Sequence, residues 1–457
     1  MTSGQFLPID GRWNRRDWMR IGAVSLGAMS LGTNPWSAAS TATLDASTGD
    51  DPASASHSCI FVLLQGGPSH IDLWDPKPLA GSDVRGSFAP ASTSVPSVHF
   101  TELVPEMAKR FDQFSVVRSV SHPFANHIAG TYITLTGSYN QQDRDREAHG
   151  DDFPGPGAIL PHLQPPRTEV PASISLPNWL SIPGPSNRMP GQYGGFLGAV
   201  RDPFVLEGDP NGDGFDPLGL KSGSALPIER LDDRRGLLTE LDVASRWLDS
   251  EVRRSGDRYL QSAFELVCSG KFRTALDLGR ESDETRDRYG RNKLGQSFLL
   301  ARRLIEAGVR WVSINEFNQK WDTHGDLVRR YQDIVPPLDR AYGALLDDLS
   351  RLGLERECMV CLGGEFGRTP KINPQAGRDH WPNAYSMLLA GGKVRGGVAW
   401  GETDAQGAEV AAQGVRPADV LATLWQHLGI DPKTTIHDRL DRPYLVSEGR
   451  VLYELMG

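Results

Sequence analysis

Cysteine is scarce in this chain, with four residues in 457. A disulfide framework is therefore excluded as the source of its stability. Long apolar runs are missing too. The early stretch IGAVSLGAMSLG (21–32) is rich in Gly, Ala and Ser and falls well short of the roughly 18 residues a membrane span needs. Nor is there a surplus of positive charge: 48 Lys and Arg face 57 Asp and Glu, a net charge of −9. Nucleic acid and anionic membrane surfaces are poor partners for such a chain. What it does have is 39% hydrophobic and 23% charged residues, an ordinary globular mixture that can bury a core. Its 49 glycines and 32 prolines predict many ordered loops on a packed scaffold.

The first 40 residues differ in kind. Asn14-Arg15-Arg16-Asp17-Trp18-Met19-Arg20 places a paired arginine, an aromatic and a further base before the weakly apolar run. That order resembles a twin-arginine export signal, and the small residues of PWSAASTA predict cleavage near Ala39 to Ala42. Residues 41–57 then read as a linker, and the mature chain is expected in the periplasm or another extracytoplasmic space. Without residues 1–40, 44 basic side chains remain against 55 acidic ones, a net charge of −11.

From residue 58 strands alternate with helices. CIFVLLQGG (59–67) reads as a fully buried strand ending in glycines, and SVVRSV (115–120), VRWVSIN (309–315), ECMVCLGG and SMLLAGG (386–392) as further strands. HIAGTYITLTG (127–137) and PADVLATLWQHLG (417–429) read as helices, and 229–307 as largely helical. Apolar residues from Leu327 to Leu349 mark a long amphipathic helix with a kink expected at Pro336-Pro337. Residues 150–227 show little periodicity and read as an irregular excursion. The alternation predicts an α/β three-layer sandwich with a mostly parallel sheet in one domain, 58–457. Ligands in that architecture sit beyond the carboxyl ends of the strands, so the loops after 65, 120, 315 and 363 should share one rim.

Ionisable residues gather in those loops. Trp321-Asp322-Thr323-His324 follows one strand, and Arg378-Asp379-His380 lies after the next. Any one of these could be a helix cap. Asp322, His324 and His380 together make a conventional ligand set for one divalent ion, zinc-like or calcium, with Glu365 able to complete it or to bind a second ion. Arg368 and Arg378 flank the same loop and would suit an oxyanion such as phosphate or sulfate, although salt bridges account for each equally well. In QGGPSHIDLWDPKP (65–78), His70 is a candidate substrate contact beside ordinary turn residues. DPNGDGFDPLGL (209–220) lacks the glutamate of a calcium loop and reads as a turn. Cys358 and Cys361 lie three apart in a strand and face opposite sides, which argues against redox chemistry.

GGPSHIDLWDPKP, LLARRLIEAGVRWVSI, WDTH, GGEFGRTPKIN, GRDHWP, LLAGGKVRGG and GETDAQG together resemble the domain of unknown function 1501 family, over about residues 58–457. That family is grouped with the alkaline phosphatase and sulfatase superfamily of metal-dependent hydrolases. The resemblance implies an alkaline phosphatase/sulfatase-like sandwich, with metal ligands at Asp322, His324 and His380. The superfamily's Asp-His-Gly falls on Glu365-Phe366-Gly367, and its paired aspartates fall near Gln65-Gly66. Counting nine residues back from Thr136-Gly137, as for a sulfatase nucleophile, lands on His127. A histidine there implies a phosphoryl acceptor, a general acid or base, or another ligand. Two readings follow. One is an exported hydrolase of phosphate or sulfate esters, with a sulfated or phosphorylated glycan as substrate, His127 and Arg368 as catalytic groups, and Arg378 and His70 on the substrate. The other is a non-catalytic relative that binds a glycan or protein partner.

Overall fold

The computed structural model describes residues 57–140, 143–166, 170–181, 188–218, 269–316 and 319–457. The expected signal, all but the last residue of the linker, and the helical reading of 229–268 lie outside them. Eight strands form the central sheet: β1 Ser58–Leu64, β2 Phe114–Val120, β3 Ser173–Leu176, β4 Phe204–Val205, β5 Trp311–Glu316, β6 Cys358–Gly363, β7 Tyr385–Gly391 and β8 Val398–Trp400. Their spatial order is β8-β2-β7-β6-β1-β5-β3-β4. Strand β1 pairs in parallel with both β5 and β6. Only β7 runs against its neighbours, β2 and β6. The sheet is therefore mixed but mostly parallel.

Alternation along β1 builds the layers. Ile60, Val62 and Leu64 join one apolar cluster; Cys59, Phe61 and Leu63 join the other. The first face is covered by α1 Pro105–Lys109, α4 Gly270–Leu276, α5 Asp283–Tyr289, α6 Lys293–Glu306 and α7 Leu327–Arg351. The second is covered by α2 His127–Thr136, α3 Pro156–Leu163 and α8 Pro417–His427. Each large apolar side chain taken fully from water contributes about 1.5–3 kcal/mol, so two such faces outweigh the absence of cross-links. Cys358 and Cys361 fall in opposite clusters, as strand geometry requires.

One stretch keeps its sequence reading as a long helix, and another departs from its reading. Helix α7 runs from Leu327 through Pro336-Pro337 to Arg351 as one element. The carbonyls those prolines leave without N–H partners belong to Gln332 and Asp333, both on the exposed side of the helix, where solvent reaches them. The excursion at 150–227 contains α3, β3 and β4, which extend the sheet beyond β5. Asp209–Gly212 makes the expected turn, with Gly212 N–H donating to the Asp209 carbonyl at 2.9 Å. Among the described residues no helix is long and apolar enough to cross a membrane.

The direction of β7 matters most for the site. Its start, rather than its end, meets the carboxyl rim, so the whole connection from β6 to β7 (364–384) remains on that side. Glu365, Arg368, Arg378, Asp379 and His380 all lie in that connection.

Candidate metal centre

Four loops meet at the rim, and two glycines let them touch. Gly66, just after β1, has φ +117, and a Cβ there would collide with the Asp322 backbone N. Trp321 N–H donates to the Gln65 carbonyl at 3.2 Å, which fixes that approach. Gly377 lies so close to the His324 backbone that a Cβ would not fit. A short antiparallel ladder pairs His380 with Arg368 and Trp381 with Gly367, folding His380 back over the start of its own loop. On the second face α2 opens with His127 directly after its cap, Asn126, whose side chain accepts from the N–H groups of Ile128 and Ala129.

These constraints bring His127, Asp322 and His380 together, with one ligand atom from each inside a mutual 4.8 Å. His127 Nε2 is 3.4 Å from Asp322 Oδ2, and His380 Nε2 is 3.3 Å from Asp322 Oδ1. His324 Nε2 lies 3.0 Å from Asp322 Oδ1 and 3.0 Å from His380 Nε2. Three imidazoles thus surround one carboxylate.

The outer edge of each ring settles its tautomer. His127 Nδ1 faces Glu365 Oε1 at 2.6 Å, His324 Nδ1 faces Asp379 Oδ1 at 2.7 Å, and His380 Nδ1 faces the Ala125 carbonyl at 2.7 Å. Carboxylates and carbonyls only accept, so each Nδ1 carries the proton and donates. In the neutral rings all three Nε2 lone pairs then point inward. Two such lone pairs 3.0 Å apart repel unless a proton or a metal ion lies between them. This is the arrangement in which metal-bound histidines are held from behind. His127 Nε2 adds a second sign, being a buried nitrogen with no hydrogen-bond partner.

The charges agree. Burial would push the His127 imidazole down, but Asp322 and Glu365 on either side outweigh it and raise it to about 9. Burial would likewise raise the Asp322 carboxyl, yet His127, His380 and the Arg368 guanidinium hold it well below the usual carboxylate range. Both shifts say that the space between these groups favours positive charge. A divalent ion meets that demand, and the residues present fit it.

Several expected site residues have other work. Glu365 is fully buried; it accepts from Gly66 N–H through both oxygens (2.8 and 3.0 Å) and holds His127, so it orients a ligand rather than supplying one. Arg368 is 0% exposed and donates to the carbonyls of Gly66, Gly67 and Arg378 and to Asp322 Oδ1 at 2.7 Å. It ties the loop after β1 to the two loops that carry Asp322 and His380, and its buried side chain is closed off from a substrate. Arg378, also buried, forks onto Asp72 (2.7 and 3.2 Å) and donates to the carbonyls of Thr369, Pro370 and Val84. His70 is buried against the Gly407 carbonyl at 2.8 Å. For Arg378 and His70 the expected contact with substrate gives way to loop anchoring. His127 is held at Nδ1 by Glu365 while its Nε2 faces the centre without a hydrogen-bond partner, the disposition of a ligand.

Sequence reasoning passed over Asp379, Ala125 and His122 as supports. His122 accepts from Phe124 N–H at Nδ1 (3.1 Å) and so donates from Nε2 to the Glu365 carbonyl (2.5 Å), steadying that residue. The one available hint was Asp379 standing beside His380.

A family model described as "Protein of unknown function (DUF1501)" matches residues 56–456. The chain belongs to that family. Among curated proteins, none matches this DUF1501 chain by sequence. Similar solved structures include the PsFucS1 sulfatase from Pseudoalteromonas sp., at 10% identity and TM-score 0.39, covering 82% of this chain and 68% of that one. Another is the lipoteichoic acid synthase LtaP from Listeria monocytogenes, at 10% identity and TM-score 0.38, covering 83% and 73%. A third is the phosphonate monoester hydrolase of Agrobacterium radiobacter, at 11% identity and TM-score 0.31, covering 88% and 77%. Likenesses this loose carry no weight for the reaction.

Proposed function

We propose that this protein is an exported, metal-dependent hydrolase of phosphate or sulfate esters. The observation that carries the reading is the inward convergence of three imidazole Nε2 atoms on the Asp322 carboxylate, each ring held at Nδ1 by its own acceptor. His127, Asp322 and His380 would hold the ion, with His324 joining from the solvent side. An imidazole-rich set suits a zinc-like ion; calcium prefers six to eight oxygens. When bound, such an ion polarises an ester oxygen and makes water a nucleophile near neutral pH.

The remaining roles belong to the chain. Glu365 holds the Nδ1 proton of His127, and Asp379 that of His324, keeping both rings aimed inward. Arg368 keeps Asp322 Oδ1 in place. His324, about half exposed, is the side of the centre that an incoming ester meets first. The test is metal content of the purified mature protein by elemental analysis, followed by a screen of aryl phosphates and sulfates with and without chelator. One equivalent of metal with chelator-sensitive turnover supports the reading; a metal-free, inert protein removes it. Export is tested separately: Arg15-Arg16→Lys-Lys should leave the protein in the cytoplasm.

A second reading has one observation in its favour. The position matched to the superfamily nucleophile is a histidine, His127, whose Nδ1 is held by Glu365 and whose Nε2 faces the centre where a ligand would. A non-catalytic protein that uses the ion to bind an anionic glycan or a protein partner would show bound metal and no turnover.

A further inference from the structure

The loop after β3 carries an aromatic pair that the metal centre does not use. Strand β3 pairs in parallel with β5, about 4.8 Å away, so its carboxyl end opens on the same rim as the loop of Asp322. Two arms of that loop, 177–181 and 188–193, are drawn together by Gln192. Its Oε1 accepts the Leu180 N–H at 2.7 Å, and its Nε2 donates to the carbonyls of Leu180 (2.9 Å) and Met189 (3.0 Å). Gln65 then moors both arms beside the centre. Its Nε2 donates to the Ser181 carbonyl at 2.8 Å and to Met189 Sδ at 3.0 Å, while its own carbonyl accepts the N–H of Trp321, the neighbour of Asp322.

Leu180 and Gln192 are buried, and the adjacent residues of the two arms, Trp179 and Tyr193, are half-buried. The rings of Trp179 and Tyr193 lie 4.6 Å apart, tilted by 33°. The exposed Arg188 guanidinium lies 4.6 Å over the Tyr193 ring. Two groups cannot share one face at that distance, so Trp179 and Arg188 cover opposite faces of Tyr193. Trp179 is the outer ring, and among the described residues no second ring stacks on it. The acid beside them, Asp202, is occupied by the Gly194 N–H at 2.7 Å.

An aromatic face is electron-rich, and this one is edged by a phenol and a guanidinium that donate hydrogen bonds. A sugar ring has the matching plan, with weakly positive C–H bonds on one face and oxygen acceptors around its edge. We propose that Trp179, Tyr193 and Arg188 form a subsite for one sugar ring of a glycan. Trp179 is the stacking surface, and Arg188 donates to hydroxyl or ester oxygens at the ring's edge. On the hydrolase reading above, on which this step rests, the ester that reaches the metal centre is then carried by a carbohydrate rather than by a small alcohol.

The experiment runs the metal-loaded full chain through native gels containing chondroitin sulfate, carrageenan or phosphomannan, with polyadenylate as the nucleic-acid control. Retardation by at least one polysaccharide is expected. Trp179→Ala should raise its Kd about tenfold, the size of one lost aromatic stack, and Arg188→Ala about threefold. Trp179→Phe keeps a ring and should cost about threefold or less. Circular dichroism and metal content, unchanged in all three variants, separate loss of the subsite from loss of the fold. No retardation by any polysaccharide, or retardation that Trp179→Ala leaves intact, overturns the proposal. Trp179-dependent retention of polyadenylate and of none of the polysaccharides assigns the platform to nucleobases and overturns it as well. Release of sulfate or phosphate from the retained polysaccharide is assayed on the same samples. Its absence with metal bound overturns the hydrolase reading alone, and Trp179-dependent retention then still decides the sugar subsite.

Discussion

Two regions of this molecule are dense in charge, and they are built on opposite plans. Between α5, α6 and α7 the Arg302 guanidinium meets Glu281 at 3.0 Å, Glu306 at 2.5 Å and Asp348 at 3.4 Å. Asp348, fully buried, also receives Arg288 and the Tyr289 hydroxyl, the latter at 3.0 Å. Each charge there faces an opposite charge, within α6 (Glu306), just before α5 (Glu281) or across to α7 (Asp348), and the result is a clamp. At the rim the outer atoms are satisfied in the same way, by Glu365, Asp379 and the Ala125 carbonyl. The inner atoms are not: three Nε2 lone pairs and one carboxylate face a common space. A structural ion network closes on itself. A binding centre closes on its outside and leaves its inside for a guest.

The largest break in that comparison comes from Asp322→Ala. It removes the one carboxylate the three imidazoles share, so bound metal should fall from about one equivalent to below about a tenth. Elemental analysis reads this out, with circular dichroism showing an unchanged fold. Next in size is Arg302→Met in the helical clamp. It leaves Asp348 buried with weaker company, a loss of about 3–5 kcal/mol for a broken buried pair. Denaturant unfolding should show the loss while metal content stays the same. If Arg302→Met also strips the metal, the two regions are coupled and the contrast between them fails.

Glu365→Gln sharpens the distinction further. The amide keeps an acceptor for His127 Nδ1–H but drops the charge that favours it, and it can serve Gly66 N–H with only one oxygen. Metal affinity should fall about 10–100-fold with unfolding free energy little changed. Competition with a chromogenic chelator measures the affinity directly. An unaltered affinity would mean that Glu365 matters to the fold alone.

The scaffold was legible where burial is continuous. Runs such as 59–64 and 358–363 are apolar on both faces because helices cover both faces, and no other environment tolerates them. Strands β3 and β4 escaped notice for the same physical reason reversed: four and two residues among prolines are too short to show a period. Within the centre, residue type and rim position pointed to Asp322, His324 and His380, because strand ends in a parallel sheet converge. What sequence could not convey was orientation. An arginine aimed at a substrate and an arginine knotted into backbone carbonyls look alike as letters, and Arg368 and Arg378 prove to be the second kind. Nor could spacing show that His127 and Glu365, 238 residues apart, would share a proton.

The smallest expected effect concerns a charged group that belongs to neither region. Asp339, on the buried side of α7, accepts the N–H groups of Glu106 at 2.8 Å and Met107 at 2.7 Å, at the start of α1. Burial pushes its carboxyl up to about 6; those two bonds oppose the rise, the Glu106 carboxylate adds to it and Arg110 subtracts. Between its ordinary value near 3.8 and about 6, the folded chain holds this proton more firmly than the unfolded chain does. Its contribution to stability is therefore complete below about pH 4 and is lost as pH rises through 6, with a slope of at most about 1.4 kcal/mol per pH unit. Most buried carboxylates, Asp322 among them, have the opposite sign, so the effect must be read as a difference. Asp339→Asn is neutral throughout and lacks this dependence. The gap in unfolding free energy between wild type and variant should shift in the variant's favour from pH 4 to pH 6.5, then level off. A gap that stays constant, or moves toward wild type, would show that the two α1 amides hold Asp339 ionised across the whole range. That would make it a helix cap of the ordinary kind.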